Sequence, residues 1–358
     1  MEAIVPKFLE GTEKEVEFAS GFIWHGFFPG NWAWIDDCLA RCENTTQRAT
    51  LLKGVRFSRE AWERASAAGD DVARTYWATC RALNPDLQSQ DVETAVGQLI
   101  AHGRQIPALV LLCMALHKKL EISAELLMKP LESLLALPPE AVKCQLAKMD
   151  WYHAQSIIEE LQSRSAADRE RLIRIEWHFI PLLDGHSGHS PKTLHEYLSE
   201  SPQFFNEVLS CGYRSSKSEF GDYNQTDHRR EMANNAFRLL HEWDLLPGTT
   251  EDGSIDEGRL RNWCAESREI AERTGRLNMC EARIGELFAK CRAMDSDGSW
   301  PCAAVRRVAA EFESDSFASG LRCGILNLRG AGFRARGGDQ ERALATEYRG
   351  KAERIRHD

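Results

Sequence analysis

The chain has 358 residues, of which 43% are hydrophobic and 28% are charged, and its formal net charge at pH 7 is −9. This composition is typical of a globular protein with a sizeable core and excludes a disordered chain. The negative charge argues against broad, non-specific binding of nucleic acid by the whole surface.

The cysteines and the N-terminus indicate where the protein resides. The eleven cysteines include no Cys-x-x-Cys pair, so neither a zinc ribbon nor a thioredoxin-like motif is present. Many lie in apolar helical patterns, which predicts buried, reduced thiols. The acidic start MEAIVPKFLEGTEKEVEF is no secretory signal, and no segment reaches the roughly 18 uncharged apolar residues of a membrane span. We therefore predict a soluble, cytoplasmic protein without a membrane segment.

Helical spacing of apolar residues runs along almost the whole chain. The aromatic run GFIWHGFF, from Gly21 to Phe28, is the one stretch that we leave unassigned. Short turns such as the one around Gly103 join the helices, which favours antiparallel neighbours. No fixed repeat period or known repeat signature is present. We predict an all-α fold, organised as an irregular α-solenoid or helical-repeat-like array of antiparallel helix pairs.

Capping residues in the sequence predict where several helices begin and end. Ser190-Pro191 and Ser201-Pro202 each place a capping serine before a proline at the first helical position. Ser254 with Glu257 matches a capping box, and Gly275 predicts the end of the helix that follows. The polar segment RSSKSEFGDYNQTD, residues 214–227, is poor in aliphatic residues. We predict an N-terminal helical array at 1–213, a linker at 214–227 and a C-terminal helical module at 228–358.

Three histidines within ten residues are the nearest thing to a chemical signature. His186, His189 and His195 have the spacing H-x2-H-x5-H, and neutral imidazoles are good zinc ligands. The glycines and serines among them are, however, the residues that a loop between helices uses. We favour the loop over the metal site.

Two other features invite a chemical interpretation. Asp-Gly-Ser occurs in two loops, Glu251–Asp256 and Asp295–Pro301, and neither fits the calcium-binding pattern of an EF-hand. Each loop directly precedes a helix, so we predict that its acidic residues and serine cap that helix. Glu176 lies in the apolar arc of its helix, where we favour pairing with an arginine over acid–base catalysis. Motifs for phosphate binding, nucleophilic serine and zinc proteases are missing, and we predict a non-catalytic protein without a cofactor.

The C-terminal end is the best interaction candidate. Residues 320–358 contain nine Arg or Lys against five Asp or Glu. In the last helix Arg342, Arg349 and Arg356 repeat at sevenfold spacing, and Arg334 and Arg336 precede them. Such a surface suits an acidic partner, nucleic acid or the acidic body of the chain itself. A solvated arginine face is the equal alternative.

Three stretches together resemble the C-terminal helical region of large bacterial multidomain proteins associated with signal-transducing P-loop NTPases, some of them in antiphage defence. They are LIRIEWHFIPLLDGHSGHSPKTLHEYLSESPQFFNEVLSCGYR, LLPGTTEDGSIDEGRLRNWCAESREIAERTGR, and DGSWPCAAVRRVAAEF continuing to NLRGAGFRARGGDQERALATEYRGKAE. The resemblance concerns helices and loops from about residue 70 to 358, and no catalytic motif. It implies a sensor or scaffold whose NTPase activity lies on another chain or segment.

The sequence therefore predicts a non-catalytic helical scaffold or sensor module, bacterial and cytoplasmic, that binds a protein partner, such as a separate NTPase or effector. A regulatory protein that binds nucleic acid through its arginine-rich end is the first alternative. A metal-dependent enzyme at the histidine loop is the second.

Overall fold

The computed structural model describes residues 5–28, 30–84, 86–137, 148–165, 167–183, 188–217, 227–328 and 337–354. These residues are helical apart from their connections and one isolated bridge between Thr249 and Ile255. The predicted all-α fold is therefore confirmed, while the solenoid arrangement stays a prediction. None of the helices in these ranges is long and apolar enough to cross a bilayer.

The chain divides into two compact units, unit 1 at Met1–Ile175 and unit 2 at Glu176–Asp358. The described helices of unit 1 are α1 Val5–Phe8, α2 Glu13–Phe27, α3 Trp32–Arg41, α4 Thr45–Lys53, α5 Arg59–Ala67, α6 Asp70–Thr79, α7 Ser89–Ala101, α8 Gln105–His117, α9 Ala124–Leu135 and α10 Lys148–Gln162. Helix α11, Arg169–Phe179, begins in unit 1 and ends in unit 2.

The core of unit 1 has an aromatic part and an aliphatic part. Phe57, Trp62 and Trp77 pack together, with ring centroids 4.9 to 5.9 Å apart, where α5 and α6 meet. Helix α8 is apolar on most of its surface and contacts α7, α9 and α10, as expected of a helix that is covered on several sides. The predicted turn at Gly103 joins α7 to α8, and its φ of 70° is one that glycine adopts without strain.

The described helices of unit 2 follow α11 and a 3-10 turn at Ile180–Leu182. They are α12 Lys192–Glu200, α13 Pro202–Gly212, α14 Asp227–Glu242, α15 Glu257–Arg273, α16 Leu277–Ala289, α17 Ala303–Ala309, α18 Asp315–Leu328 and α19 Asp339–Arg354. Phe205, Trp243 and Trp263 form the aromatic centre of this unit, with centroids 5.0 to 5.7 Å apart. Both indoles also donate hydrogen bonds, Trp243 to the hydroxyl of Ser199 and Trp263 to the carbonyl of Leu198.

Helices α16 and α18 form the most extensive helix–helix contact of unit 2, and glycines make it. A Cβ on Gly324 would lie 2.6 Å from the Cβ of Ala289, a separation that real Cβ atoms do not reach. A Cβ on Gly285 or Gly320 would collide with the backbone of the opposite helix. The two backbones therefore approach each other more closely than any side chain would permit.

The sequence signals for helix ends are confirmed at two places and wrong at two. At α12 the N-cap residue is Pro191 rather than the predicted Ser190. Ser201 caps α13 by accepting from the amide of Phe204, and Gly275, with φ of 70°, follows the end of α15. The predicted capping box of Ser254 and Glu257 is wrong, because Asp256 caps α15 by accepting from the amide of Arg259. Ser254 is held instead inside its own loop by Asp252.

The division of the chain into two compact units falls between Ile175 and Glu176. The start of the predicted linker is attached to unit 2, since the amide of Ser216 donates to the carbonyl of Gly275 and the hydroxyl of Ser215 to that of Thr274. Residues 218–226 lie outside the described residues. That 1–213 and 228–358 fold as separate domains stays a prediction.

Eight of the ten described cysteines are buried, and none of the ten forms a disulfide. Burial raises the pKa of the Cys264 thiol to about 12, and it raises that of Cys42 to about 11. These thiols are protonated at neutral pH and pack as small apolar side chains.

Candidate partner-binding cleft

A cleft of about 1280 Å³ lies in unit 1. Its walls are one face of α2 and the connections from α4 to α5 and from α6 to α7, with the first residues of α5 and α7. Sites for small ligands measure about 300–1000 Å³. The cleft is therefore larger than a small molecule needs.

Helix α2 forms one wall because its two faces differ. It begins with a capping box in which the amide and the hydroxyl of Thr12 donate to the carboxylate of Glu15, at 2.7 and 2.8 Å. Ala19, Ile23 and Phe27, four residues apart, are buried on one face. The cleft-lining residues of α2 occupy the adjoining part of its surface, and Phe27 borders both: Glu13, Val16, Glu17, Ser20, Gly21, Trp24 and Phe27.

The aromatic run that we left unassigned forms the end of this wall. Residues 21–27 are the last two turns of α2, and Phe28 is the C-cap residue that follows it. The pattern Thr12-x-x-Glu15, with Ala19, Ile23 and Phe27 beyond it, would have predicted this helix from the sequence.

Three large apolar side chains of the cleft face solvent. Trp24 is 53% exposed, Phe28 is 74% exposed, and Leu83, on the connection from α6 to α7, is 58% exposed. Single exposed apolar residues are ordinary, but a group of them along one cleft marks an interaction surface. Aromatic side chains in particular supply much of the binding energy of protein interfaces.

The opposite wall is fixed by charged and polar contacts between two connections. Arg59 at the start of α5 pairs with Asp91 of α7 at 2.6 Å, and Arg56 pairs with Asp86. The side-chain amide of Asn84 donates to the backbone carbonyl of Phe57 at 2.7 Å. These contacts join residues about 30 positions apart, so the wall is formed before any partner arrives.

Four charged side chains of the cleft make no ion pair and no hydrogen bond with the described residues: Glu13, Glu17, Lys53 and Arg81. Lys53 is half buried, and its burial lowers the pKa of its amine. A half-buried charge without a partner is unfavourable. An incoming ligand of opposite charge would relieve that cost.

The polar and charged side chains that line the cleft suit the binding of a protein. The hydroxyls of Ser20 and Thr79 donate to carbonyls of their own helices, Val16 and Thr75, and no His or Cys stands among the described lining residues. What the lining presents is apolar surface with both signs of charge. This combination is that of a protein-binding surface.

The structure places two of the three predicted histidines. His186 lies outside the described residues, and His189 is half buried beside the start of α12. His195 is buried within α12, its Nε2 has no hydrogen-bond partner among the described residues, and burial lowers its pKa to about 4. In the part of the chain that the structure describes, no three His, Cys, Asp or Glu are grouped to hold a metal ion.

Glu176 is fully buried, and its carboxylate caps a neighbouring helix, a role that the sequence did not predict. Its carboxylate accepts from the amides of Thr193 and Leu194, at 3.2 and 2.8 Å, in the first turn of α12. Arg171, one of the arginines on the same helix, binds Glu125 and Glu132, and the pairing of Glu176 with an arginine stays a prediction. A carboxylate at a helix N-terminus satisfies free amides and complements the helix dipole.

In each loop that contains Asp-Gly-Ser, one aspartate caps the following helix: Asp256 in the first loop and Asp295 in the second. Both oxygens of Asp295 accept from the amide of Ala303, the first residue of α17, at 3.0 Å, and Asp295 also pairs with Arg306. Asp252 and Asp297 accept from the amides of the serines two residues later. The capping prediction is confirmed for Asp295.

The predicted arginines divide into three groups. Arg334, Arg336 and Arg356 lie outside the described residues. Arg342 pairs with Asp339 one turn away and donates to the carbonyl of Gly337. Arg349 is exposed and makes neither an ion pair nor a hydrogen bond with the described residues.

Helix α19 itself buries no side chain. It is attached through Lys351, whose amine lies 5.4 Å from the ring centre of Trp300, and through Arg354, which donates to the carbonyl of Gly298. Together with the ends of α16 and α18, it borders a pocket of about 510 Å³. Neither Arg342 nor Arg349 lines this pocket.

No protein-family model, no curated protein and no solved structure matches the chain significantly. The resemblance to bacterial multidomain proteins therefore stays a prediction.

Proposed function

We propose that this protein is a non-catalytic helical scaffold or sensor module of a bacterial cytoplasmic system, and that it binds a protein partner through the cleft of unit 1. The observation that carries the proposal is the exposure of Trp24, Phe28 and Leu83 along a preformed cleft that also holds unpaired charges of both signs. Burying such residues stabilises a complex, because apolar area removed from water is favourable.

The lining favours protein over nucleic acid at this site. Five carboxylates line the cleft: Glu13, Glu17, Glu60, Asp86 and Asp91. Four cations line it as well: Lys53, Arg56, Arg59 and Arg81. A protein segment can match both signs of charge, whereas a chain of phosphates carries only one. The resemblance to helical regions associated with NTPases supports a separate NTPase or effector as the partner.

The experiment compares matched variants in purification from the native cytosol. Trp24→Ala/Phe28→Ala removes the aromatic surface, and Phe237→Ala removes an aromatic side chain of unit 2 that is 51% exposed. We expect the wild type and Phe237→Ala to retain the same protein stoichiometrically, and the double variant to bind that protein, once purified, at least tenfold more weakly. Absence of any stoichiometric protein would refute the proposal.

A second function, nucleic-acid binding at the C-terminal end, is supported by the exposure of Arg349 on a helix with no buried side chain. In the same purification it would appear as retained nucleic acid without a protein. Binding would weaken with salt and weaken further when Arg342, Arg349 and Arg356 become glutamine. Salt-insensitive binding, or none, would remove this candidate.

A further inference from the structure

We propose that the partner segment in this cleft is an amphipathic α-helix of about four turns, with acidic and basic residues at opposite ends. The inference rests on the proposed function, and it adds the chemistry and the form of the partner. It follows from the length of the α2 wall, from the backbone chemistry of the lining and from the order of charges along the cleft.

The length follows from α2. The lining residues run from Glu13 to Phe28, and 15 residues of helix at 1.5 Å per residue span roughly 22 Å. A partner helix of about 15 residues covers this distance. An extended peptide would cover it in about seven residues, so length alone does not decide the form.

Backbone chemistry favours the helix. The described lining residues belong to helices and their connections, and no strand edge borders the cleft. An extended peptide would leave a row of amides and carbonyls without partners as it lost water. A helix satisfies its own backbone and needs only side-chain contacts, as in other helix-in-groove complexes.

The charges are ordered along the cleft. Glu13 and Glu17 lie in the first turns of α2. At the other end Gly54 packs against Ile23, so closely that a Cβ there would lie 3.0 Å from the Ile23 side chain. Lys53 precedes Gly54 and lies near Cys80, the residue before Arg81.

This contact therefore places Lys53 near the aromatic end of α2, roughly 9–15 Å along the helix from its acidic residues, and Arg81 lines the same cleft. A partner helix that matches this order carries basic residues against Glu13 and Glu17. Its acidic residues lie against Lys53 and Arg81. Its large apolar residues, at spacings of three, four and seven, contact the exposed aromatic and aliphatic side chains of the cleft.

The test uses a displayed library of random 16-residue peptides, selected on the purified full-length chain. We expect the enriched peptides to combine apolar residues at helical spacing with acidic and basic residues at opposite ends. Synthetic copies should lose at least tenfold in affinity for Trp24→Ala/Phe28→Ala and for Glu13→Lys/Glu17→Lys. Affinity for the charge-reversed variant should return when the basic residues of the peptide are replaced by glutamate.

Two control variants change the same chemistry elsewhere. Phe237→Ala removes an exposed aromatic side chain of unit 2, and Glu93→Lys/Glu269→Lys reverses two exposed carboxylates outside the cleft. Neither should change the affinity more than twofold.

Each contrary outcome has its own meaning. Enriched peptides that bind the cleft variants as well as the wild type would overturn the inference and leave a scaffold that uses another surface. Enriched peptides with extended, alternating patterns, or with one sign of charge, would overturn the helical partner alone. If no peptide is enriched although the native partner binds stoichiometrically, the cleft recognises a folded surface and the inference is wrong. If neither a peptide nor a native partner binds, both the inference and the proposed function are wrong.

Discussion

Units 1 and 2 are built from helices of similar length but differ in how those helices meet. In unit 1, α2 keeps one face open, and salt bridges such as Arg59 to Asp91 hold the opposite wall in place. In unit 2, α16 and α18 meet on glycines and leave no room for a side chain between them. Where side chains separate the helices of this array, a surface remains open for binding. Where glycines let the backbones meet, the core is closed.

The closed contact of unit 2 should be the most sensitive point of the molecule. Replacing Gly320 with alanine would place a Cβ against the backbone of Ala282, and relieving that collision requires the two helices to move apart. We expect a loss of about 3 kcal/mol or more in the free energy of unfolding, measured with urea.

The matched control is Gly97→Ala, in the middle of α7, where a Cβ meets nothing within 4 Å. That substitution should stabilise by about 0.5–1 kcal/mol, because alanine favours the helix. Equal effects of the two substitutions would mean that α16 and α18 do not make the close contact.

The buried cap that Glu176 provides for α12 should also contribute to the stability of unit 2. In Glu176→Gln the side chain loses its charge and retains one good acceptor for two buried amides, those of Thr193 and Leu194. We expect the free energy of unfolding to fall by about 2 kcal/mol. Glu170→Gln, an exposed position on the same helix, should change it by less than about 0.5 kcal/mol. A neutral result at Glu176 would refute the capping role.

His195 makes the stability of unit 2 depend on pH. Its pKa in the folded protein is about 4 and its ordinary value is about 6.5, so the unfolded chain binds the proton more readily. Stability is therefore complete above pH 6.5 and falls as the pH is lowered toward 4. Between pH 7.5 and pH 5 we expect a loss of about 2 kcal/mol in wild-type protein that His195→Leu does not show. Identical pH profiles would contradict a neutral, buried histidine.

The open cleft of unit 1 should be the least sensitive region in stability. Trp24 and Phe28 are more than half exposed, so Trp24→Ala/Phe28→Ala should change the free energy of unfolding by less than about 0.5 kcal/mol per residue. Circular dichroism and urea unfolding check this. A large loss would show that these side chains support the fold and would weaken the case for a binding surface.

Sequence reasoning succeeded where the physical signal is local. The all-α fold follows from the spacing of apolar residues, and the cap at Ser201 and the stop at Gly275 each depend on a few neighbouring positions. The first turn of α2 was readable in the same way, since Thr12 and Glu15 are three residues apart.

Contacts between residues far apart in the sequence could not be predicted. Nothing near Glu176 indicates that its carboxylate binds amides 17 and 18 residues away. The cleft wall depends on Arg59 meeting Asp91, 32 positions along the chain. The spacing Gly320-x-x-x-Gly324 can be seen in the sequence, but the helix that it faces cannot.

The glycine contact also bears on how relatives of this chain can be recognised. At Gly285, Gly320 and Gly324 every substitution adds a Cβ where the opposite helix stands, so selection would reject large and small, polar and apolar replacements alike. Buried neighbours such as Ile284 and Phe288 can exchange one apolar side chain for another of similar volume. Descendants whose overall similarity has vanished would still carry glycines separated by 35 and 4 residues between two helical segments. That spacing is an evolutionary fingerprint defined by backbone geometry.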